Sequence, residues 1–123
     1  MTVTGPDFVA LQVRDLERAA DFYQPGWGCA GPQPARPRAV VFATEPIPFA
    51  VRDPLPGVDL DDAQPRPGFG VALWLHADDA QALRDELAAA GVPIVAAPAD
   101  GPFGRMFTFT DLDGYAVTIH DQP

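Results

Sequence analysis

Apolar and polar residues alternate through Val9-Ala10-Leu11-Gln12-Val13-Arg14-Asp15, and a comparable run returns as Val71-Ala72-Leu73-Trp74-Leu75-His76-Ala77-Asp78-Asp79. Period-two patterning of this kind predicts a strand with one buried face, and the recurrence predicts an internally duplicated chain. Each run ends in Asp and gives way to helical spacing, over residues 16–23 in the first half and 80–90 in the second. Asp15 and either Asp78 or Asp79 are suited to cap those helices, because a short carboxylate accepts from the exposed amides of the first turn. Ala80, Leu83, Leu87 and Ala90 form one apolar stripe, with Arg84, Asp85 and Glu86 largely outside it. Pro25-Gly26 ends the first helix and Gly91 the second.

Short β segments follow each helix. In the first half they fall at 38–44 and 47–52 around a Glu45-Pro46 turn, with a weaker segment at 28–33. In the second half they fall at 93–97, 103–110 and 115–121, and Asp111-Leu112-Asp113-Gly114 supplies the turn between the last two. The order is therefore strand, helix, three strands, twice over: an α+β chain of two βαβββ modules. Their expected bounds are 6–53 and 68–121, joined by a Pro-, Gly- and Asp-rich linker over 54–67, within a single domain spanning 1–123.

A chain of 123 residues is too short for two independent cores, in keeping with duplication inside one domain. Eight basic against 17 acidic residues give a net charge of −9, which opposes any phosphate-binding surface; no nucleic-acid partner is expected, while a cationic ligand is permitted. Asp53, Asp59, Asp61 and Asp62 in the linker read either as a field attracting such a ligand or as a solvated loop. Cys29 is the sole cysteine, so no intramolecular disulfide forms, and its Gly28, Ala30 and Gly31 neighbours offer no activating base. No apolar run is long enough to cross a bilayer, and the first residues lack a leader pattern, so the expected location is cytoplasmic with no membrane partner.

The passages 13–23 (Val-Arg-Asp-Leu-Glu-Arg-Ala-Ala-Asp-Phe-Tyr), Ala77-Asp78-Asp79 through Gly91-Val92, Phe103-Gly104-Arg105 and Asp111-Leu112-Asp113-Gly114-Tyr115 carry a family resemblance. On them the chain resembles the vicinal oxygen chelate superfamily, which includes glyoxalase I, extradiol dioxygenases, fosfomycin-resistance enzymes and bleomycin-resistance proteins. The resemblance implies that the two modules form a curved, cup-shaped mixed sheet around a cavity, commonly completed by a second subunit, hence a homodimer. It implies no single activity. Metal-dependent members place His, Gln or Glu on inward positions that fall here at Phe8, Pro48 or Ala50, Gly70 or Ala72, and Thr118. Carbon side chains offer a divalent ion no donor, and a lone Thr hydroxyl is a poor ligand, so neither metal nor other cofactor is expected and no catalytic residue is assigned.

Strand parity selects the cavity lining. Val9, Leu11 and Val13, then Val71, Leu73 and Leu75, then Val117 and Ile119, are expected to pack toward the helices. The opposite faces give the candidate ligand-binding residues Phe8, Gln12, Phe42, Trp74, His76, Met106 and Thr118, with Thr108 beside them and Phe103 in the loop before the seventh strand. Trp74 either stacks on a ligand or fills the cup as core. Phe103-Gly104-Arg105 is similar to the Trp-Gly-Arg loop of bleomycin-resistance proteins, in which the aromatic residue borders the drug groove, and Arg105 is expected to order that loop. His76 and His120 share inward parity near strand ends, where they read as rim hydrogen-bonding groups or as a metal or proton-relay pair. The expected function is a metal-free binding protein that sequesters an amphipathic or aromatic small molecule, as an antibiotic-resistance protein does. The alternative is a lyase, dioxygenase or natural-product tailoring enzyme of the same superfamily.

Overall fold

A computed structural model of the chain describes residues 2–24, 33–36 and 38–122. Along it run β1 (Val9–Gln12), α1 (Leu16–Tyr23), β2 (Gln33–Arg36), β3 (Ala39–Phe42), β4 (Phe49–Arg52), β5 (Leu73–His76), α2 (Ala80–Ala89), β6 (Ile94–Gly101), β7 (Gly104–Thr110) and β8 (Ala116–His120). The fold is α+β, built from two βαβββ modules that each form a four-stranded mixed sheet. The strand orders are β1-β4-β3-β2 and β5-β8-β7-β6. In both, the first strand runs parallel to the last and the other pairings are antiparallel. The chain divides between Asp61 and Asp62 into two compact units, inside the stretch read as linker. Cys29, Trp27 and most of the weak segment expected at 28–33 lie outside the described residues.

In the first unit Asp15 caps α1, its Oδ1 accepting from the Arg18 amide at 3.1 Å. That cap fixes the helix so that Ala19 and Tyr23 are buried, as are Leu11, Val13 and Val51. Phe42 is one of the expected cavity residues that the structure corrects. It is fully buried and packs against the Tyr23 ring of α1 at 6.3 Å and Phe49 at 5.0 Å. Cross-strand partners share a face, and Phe42 is registered against Phe49 as Val40 is against Val51, which places it in the helix-side core. β3 is apolar at every position, Ala39-Val40-Val41-Phe42, so its alternation was not readable. Two of the linker acids are in ion pairs: Arg38 pairs with Asp53, and Arg14 with Asp61 at 2.8 Å.

In the second unit Asp79, rather than Asp78, caps α2 by accepting from the Ala82 amide at 3.0 Å. Ala80 and Leu87 are buried, and so are Phe107 and Phe109 of β7 and Val117 and Ile119 of β8. Each large side chain so removed from water contributes roughly 1.5–3 kcal/mol. The turn at 111–114 is closed by the buried Asp111 carboxylate, which accepts from the amides of Asp113 at 2.9 Å and Tyr115 at 3.0 Å. β6 continues beyond the expected 93–97 to Gly101, with register shifts on either side of Ala96. Pro98 is tolerated there because β6 is the sheet's edge strand.

Candidate functional site

Because Leu75, Val117, Ile119, Phe107 and Phe109 belong to the helix-side set, their sequence neighbours rise from the opposite face of the second sheet. Two rows cross that face. One holds Trp74, Thr118 and Thr108, and the next holds His76, His120 and Met106. Four rings gather at its edge: Trp74 stands 5.9 Å from Phe103 and 6.0 Å from His120, and His120 lies 5.6 Å from His76 and 6.2 Å from Phe103. Trp74 and Phe103 nevertheless keep 47% of their surface exposed, far more than a core aromatic does.

Phe103 is presented by a loop tied down from three directions. Its carbonyl accepts from the Gln122 amide at 3.0 Å. Asp121 Oδ1 accepts from the Arg105 amide at 2.9 Å, while the Arg105 guanidinium donates to Gln81 of α2 at 3.0 Å and Asp100 of β6 at 3.1 Å. Arg105 thus orders the loop. His120 is oriented from the same segment, its Nδ1 lying 2.8 Å from the Gln122 carbonyl. A carbonyl only accepts, so Nδ1 carries the proton and Nε2 is the ring's acceptor in the neutral form.

Beside the rings an open cavity of about 350 Å³ is lined by Arg66, the segment from Phe69 to Leu73, and Thr108, Ala116 and Thr118 of the sheet. The Thr108 and Thr118 hydroxyls are hydrogen-bonded to each other at 2.8 Å. Val71 corrects the expected parity: β5 begins at Leu73, so alternation does not reach back to Val71, which is exposed and lines the cavity. The wall is held close by Gly68, where a Cβ would come within 2.8 Å of the Tyr115 ring.

Of the residues expected from sequence, Trp74, His76 and Phe103 are brought together around His120, and Thr118 lines the adjoining cavity. Met106 shares their face, but its sulfur lies toward Gly101 at the end of the β6–β7 hairpin. Phe8 is exposed just before β1, and Gln12 accepts from the Leu55 amide at 2.8 Å; both belong to the first unit. Sequence reasoning missed Arg66. The available signal was that it is the sole basic residue between Asp53 and Pro67 in an otherwise acidic stretch.

The positions at which the resemblance implies metal ligands hold Phe8, Pro48 or Ala50, Gly70 or Ala72, and a Thr118 hydroxyl already engaged by Thr108. This donor set does not fit a divalent ion. Among the described residues no group of three or more His, Cys, Asp or Glu side chains is placed to hold a metal. Nor is any helix among them long and apolar enough to cross a membrane.

Duplicated βαβββ modules with an open sheet face define the class, and the chain belongs to the Glyoxalase/Bleomycin resistance protein/Dioxygenase superfamily, whose sequence profile matches residues 5–119. Among solved structures it is similar to TnmS3, an antibiotic binding protein from Streptomyces sp. CB03234, at 25% identity and a TM-score of 0.70 over 100% of this chain and 99% of that one. It is also similar to a glyoxalase/bleomycin resistance protein from the same Streptomyces, at 26% identity and a TM-score of 0.71 over 95% of this chain and 100% of that one. The fosfomycin resistance protein FosX from Listeria monocytogenes shares the fold, with a TM-score of 0.75 at 16% identity over 99% and 96% of the two chains. No curated protein matches the sequence.

Proposed function

We propose that the protein binds and sequesters an aromatic or amphipathic small molecule, of the kind an antibiotic presents, on the open face of its second sheet, without a metal. The observation that carries this reading is the pairing of Trp74 and Phe103, two half-exposed rings 5.9 Å apart, on a sheet face where Thr118, the cross-strand partner of Trp74, lines a 350 Å³ cavity. Exposed aromatics that adjoin one another, rather than standing singly, mark binding surfaces. Here Trp74 is registered directly against Thr118 of the cavity wall, so a flat ligand entering the cavity meets an indole face and a polar floor. Similarity to an antibiotic binding protein supports the same reading.

Tryptophan emission tests it. The chain holds two tryptophans, so a Trp27→Phe background leaves Trp74 as sole reporter. Candidate aromatic antibiotics are expected to shift or quench its emission saturably, and Phe103→Ala to weaken the response. A flat titration across such compounds would sink the reading.

A second reading, a metal-free tailoring enzyme, rests on His120, whose Nε2 is left as a base beside His76. Turnover of a bound compound that disappears in His120→Ala while binding persists would favour it.

A further inference from the structure

We infer that the cavity beside Thr118 recognises an anionic oxygen, a carboxylate or ionised phenol borne on the aromatic ligand, and that Arg66 is the residue that reads it. The inference rests on the small-molecule reading above and adds the chemical class of the group bound.

Arg66 is the only charged side chain among those lining the cavity, whose other walls are Phe69 to Leu73, Ala116 and two threonines. Its guanidinium carbon stands 5.3 Å from the centre of the Phe69 ring, which holds the group over an aromatic face. Nη1 is buried and finds no hydrogen-bond partner among the described residues. A buried donor left unpaired is unfavourable, and a guanidinium has five N–H groups in a planar fork shaped for a carboxylate. Arg66 lies beside the 111–114 turn, its Cβ 3.8 Å from where a Cβ on Gly114 would sit, and the Asp111 carboxylate of that turn is engaged by the amides of Asp113 and Tyr115. No salt bridge neutralises Arg66 among the described residues.

The sheet side of the cavity offers a second donor. Thr108 and Thr118 share one hydrogen bond, so one hydroxyl proton is used between them and the other is free to donate to a ligand. A wall with a fixed cation and a spare hydroxyl proton suits an acceptor-rich group and repels an ammonium. The net charge of −9 alone pointed toward a cationic ligand, but solvent ions screen that field beyond roughly 8–10 Å, whereas Arg66 acts at contact distance.

Three probes of one size separate the possibilities by calorimetry on the intact protein: 2-naphthoate, neutral 2-naphthalenemethanol and 2-naphthylmethylammonium. Wild type is expected to bind the naphthoate about tenfold more tightly than the ammonium, as a charge-assisted fork contact implies. Arg66→Gln is expected to weaken naphthoate about tenfold and leave the alcohol unchanged, with Arg66→Lys between them. An unchanged amide fingerprint in two-dimensional NMR spectra shows that the variants fold. Equal binding of all three probes, still lost in Trp74→Ala, would overturn the role of Arg66 and leave the aromatic-ligand reading standing. Preference for the ammonium would overturn it as well. Failure of every probe to bind wild type would overturn both.

Discussion

Gly104 and Asp121 fit together because one of them has no side chain. Asp121 Oδ1 accepts from the amide of Arg105 at 2.9 Å and fills the space that a Cβ on Gly104 would need, while Gln122 Cγ lies 2.8 Å from the same point. Gly104 also has a φ of +85°, a conformation other residues adopt only with strain. Clash and strain act together, so Gly104→Ala is expected to lower unfolding free energy by roughly 2–3 kcal/mol. Urea denaturation followed by far-ultraviolet circular dichroism measures this; a change under about 0.5 kcal/mol, the range of an ordinary surface substitution, would contradict the packing described.

Asp121 is the other half of that arrangement. Asp121→Ala removes an acceptor from two amides, those of Arg105 at 2.9 Å and Ala80 at 3.4 Å, and a loss of about 1–3 kcal/mol is expected. Asp121→Asn keeps the shape and one acceptor oxygen and is expected to recover much of it. Because the loop presents Phe103, the alanine variant should also weaken the ligand response of Trp74 in the Trp27→Phe background, under conditions where both proteins are folded. Equal ligand titrations for the two would dissociate Asp121 from the aromatic pair.

Why Gly104 must be glycine was invisible in the sequence, since its reason sits on Asp121, at the end of another strand. Features set by neighbours along the chain were legible: both helices, the Asp15 cap, the Asp111 turn, and the faces of β1, β5 and β8, whose apolar and polar positions alternate. Phe42 was assigned to the wrong face because β3 has no polar position to break its symmetry, and only its register against Phe49 decides the matter. Val71 failed for a related reason: the apolar run extends beyond the strand that pairs. At the candidate site, parity alone brought Trp74, His76, His120 and Thr118 to one face. Arg66 reaches the cavity from an irregular segment, Gln64-Pro65-Arg66-Pro67, in which no periodicity exists to read.

The two modules begin their helices alike, and the caps give a paired test. Asp15 accepts from the Arg18 amide and Asp79 from the Ala82 amide, at 3.1 and 3.0 Å. Alanine at either position is expected to lower stability by about 1 kcal/mol, and asparagine by only a fraction of that, since it retains the accepting oxygen. Thermal or urea unfolding distinguishes them. If alanine and asparagine were equally destabilising at one position, its carboxylate charge rather than its capping geometry would be the stabilising feature there.

Phe42 and Trp74 are both aromatic strand residues, and parity reasoning placed them in one cavity, yet their environments predict opposite phenotypes. Phe42 is fully buried between Tyr23 and Phe49, so Phe42→Ala opens a void that the surrounding rings cannot fill, with an expected loss of roughly 3–5 kcal/mol. Trp74 keeps 47% of its surface exposed and touches Phe103 edge to face, so Trp74→Ala is expected to change stability by less than about 1.5 kcal/mol. Binding of aromatic ligands should behave inversely: abolished in Trp74→Ala, and in Phe42→Leu, which largely preserves the core, unchanged once the folded fraction is matched. Urea unfolding and calorimetric titration of the variants supply both measurements. Were Trp74→Ala to unfold the protein and Phe42→Ala to spare it, the faces of the two sheets would be exchanged, and the cavity would have to be sought beneath the helices instead.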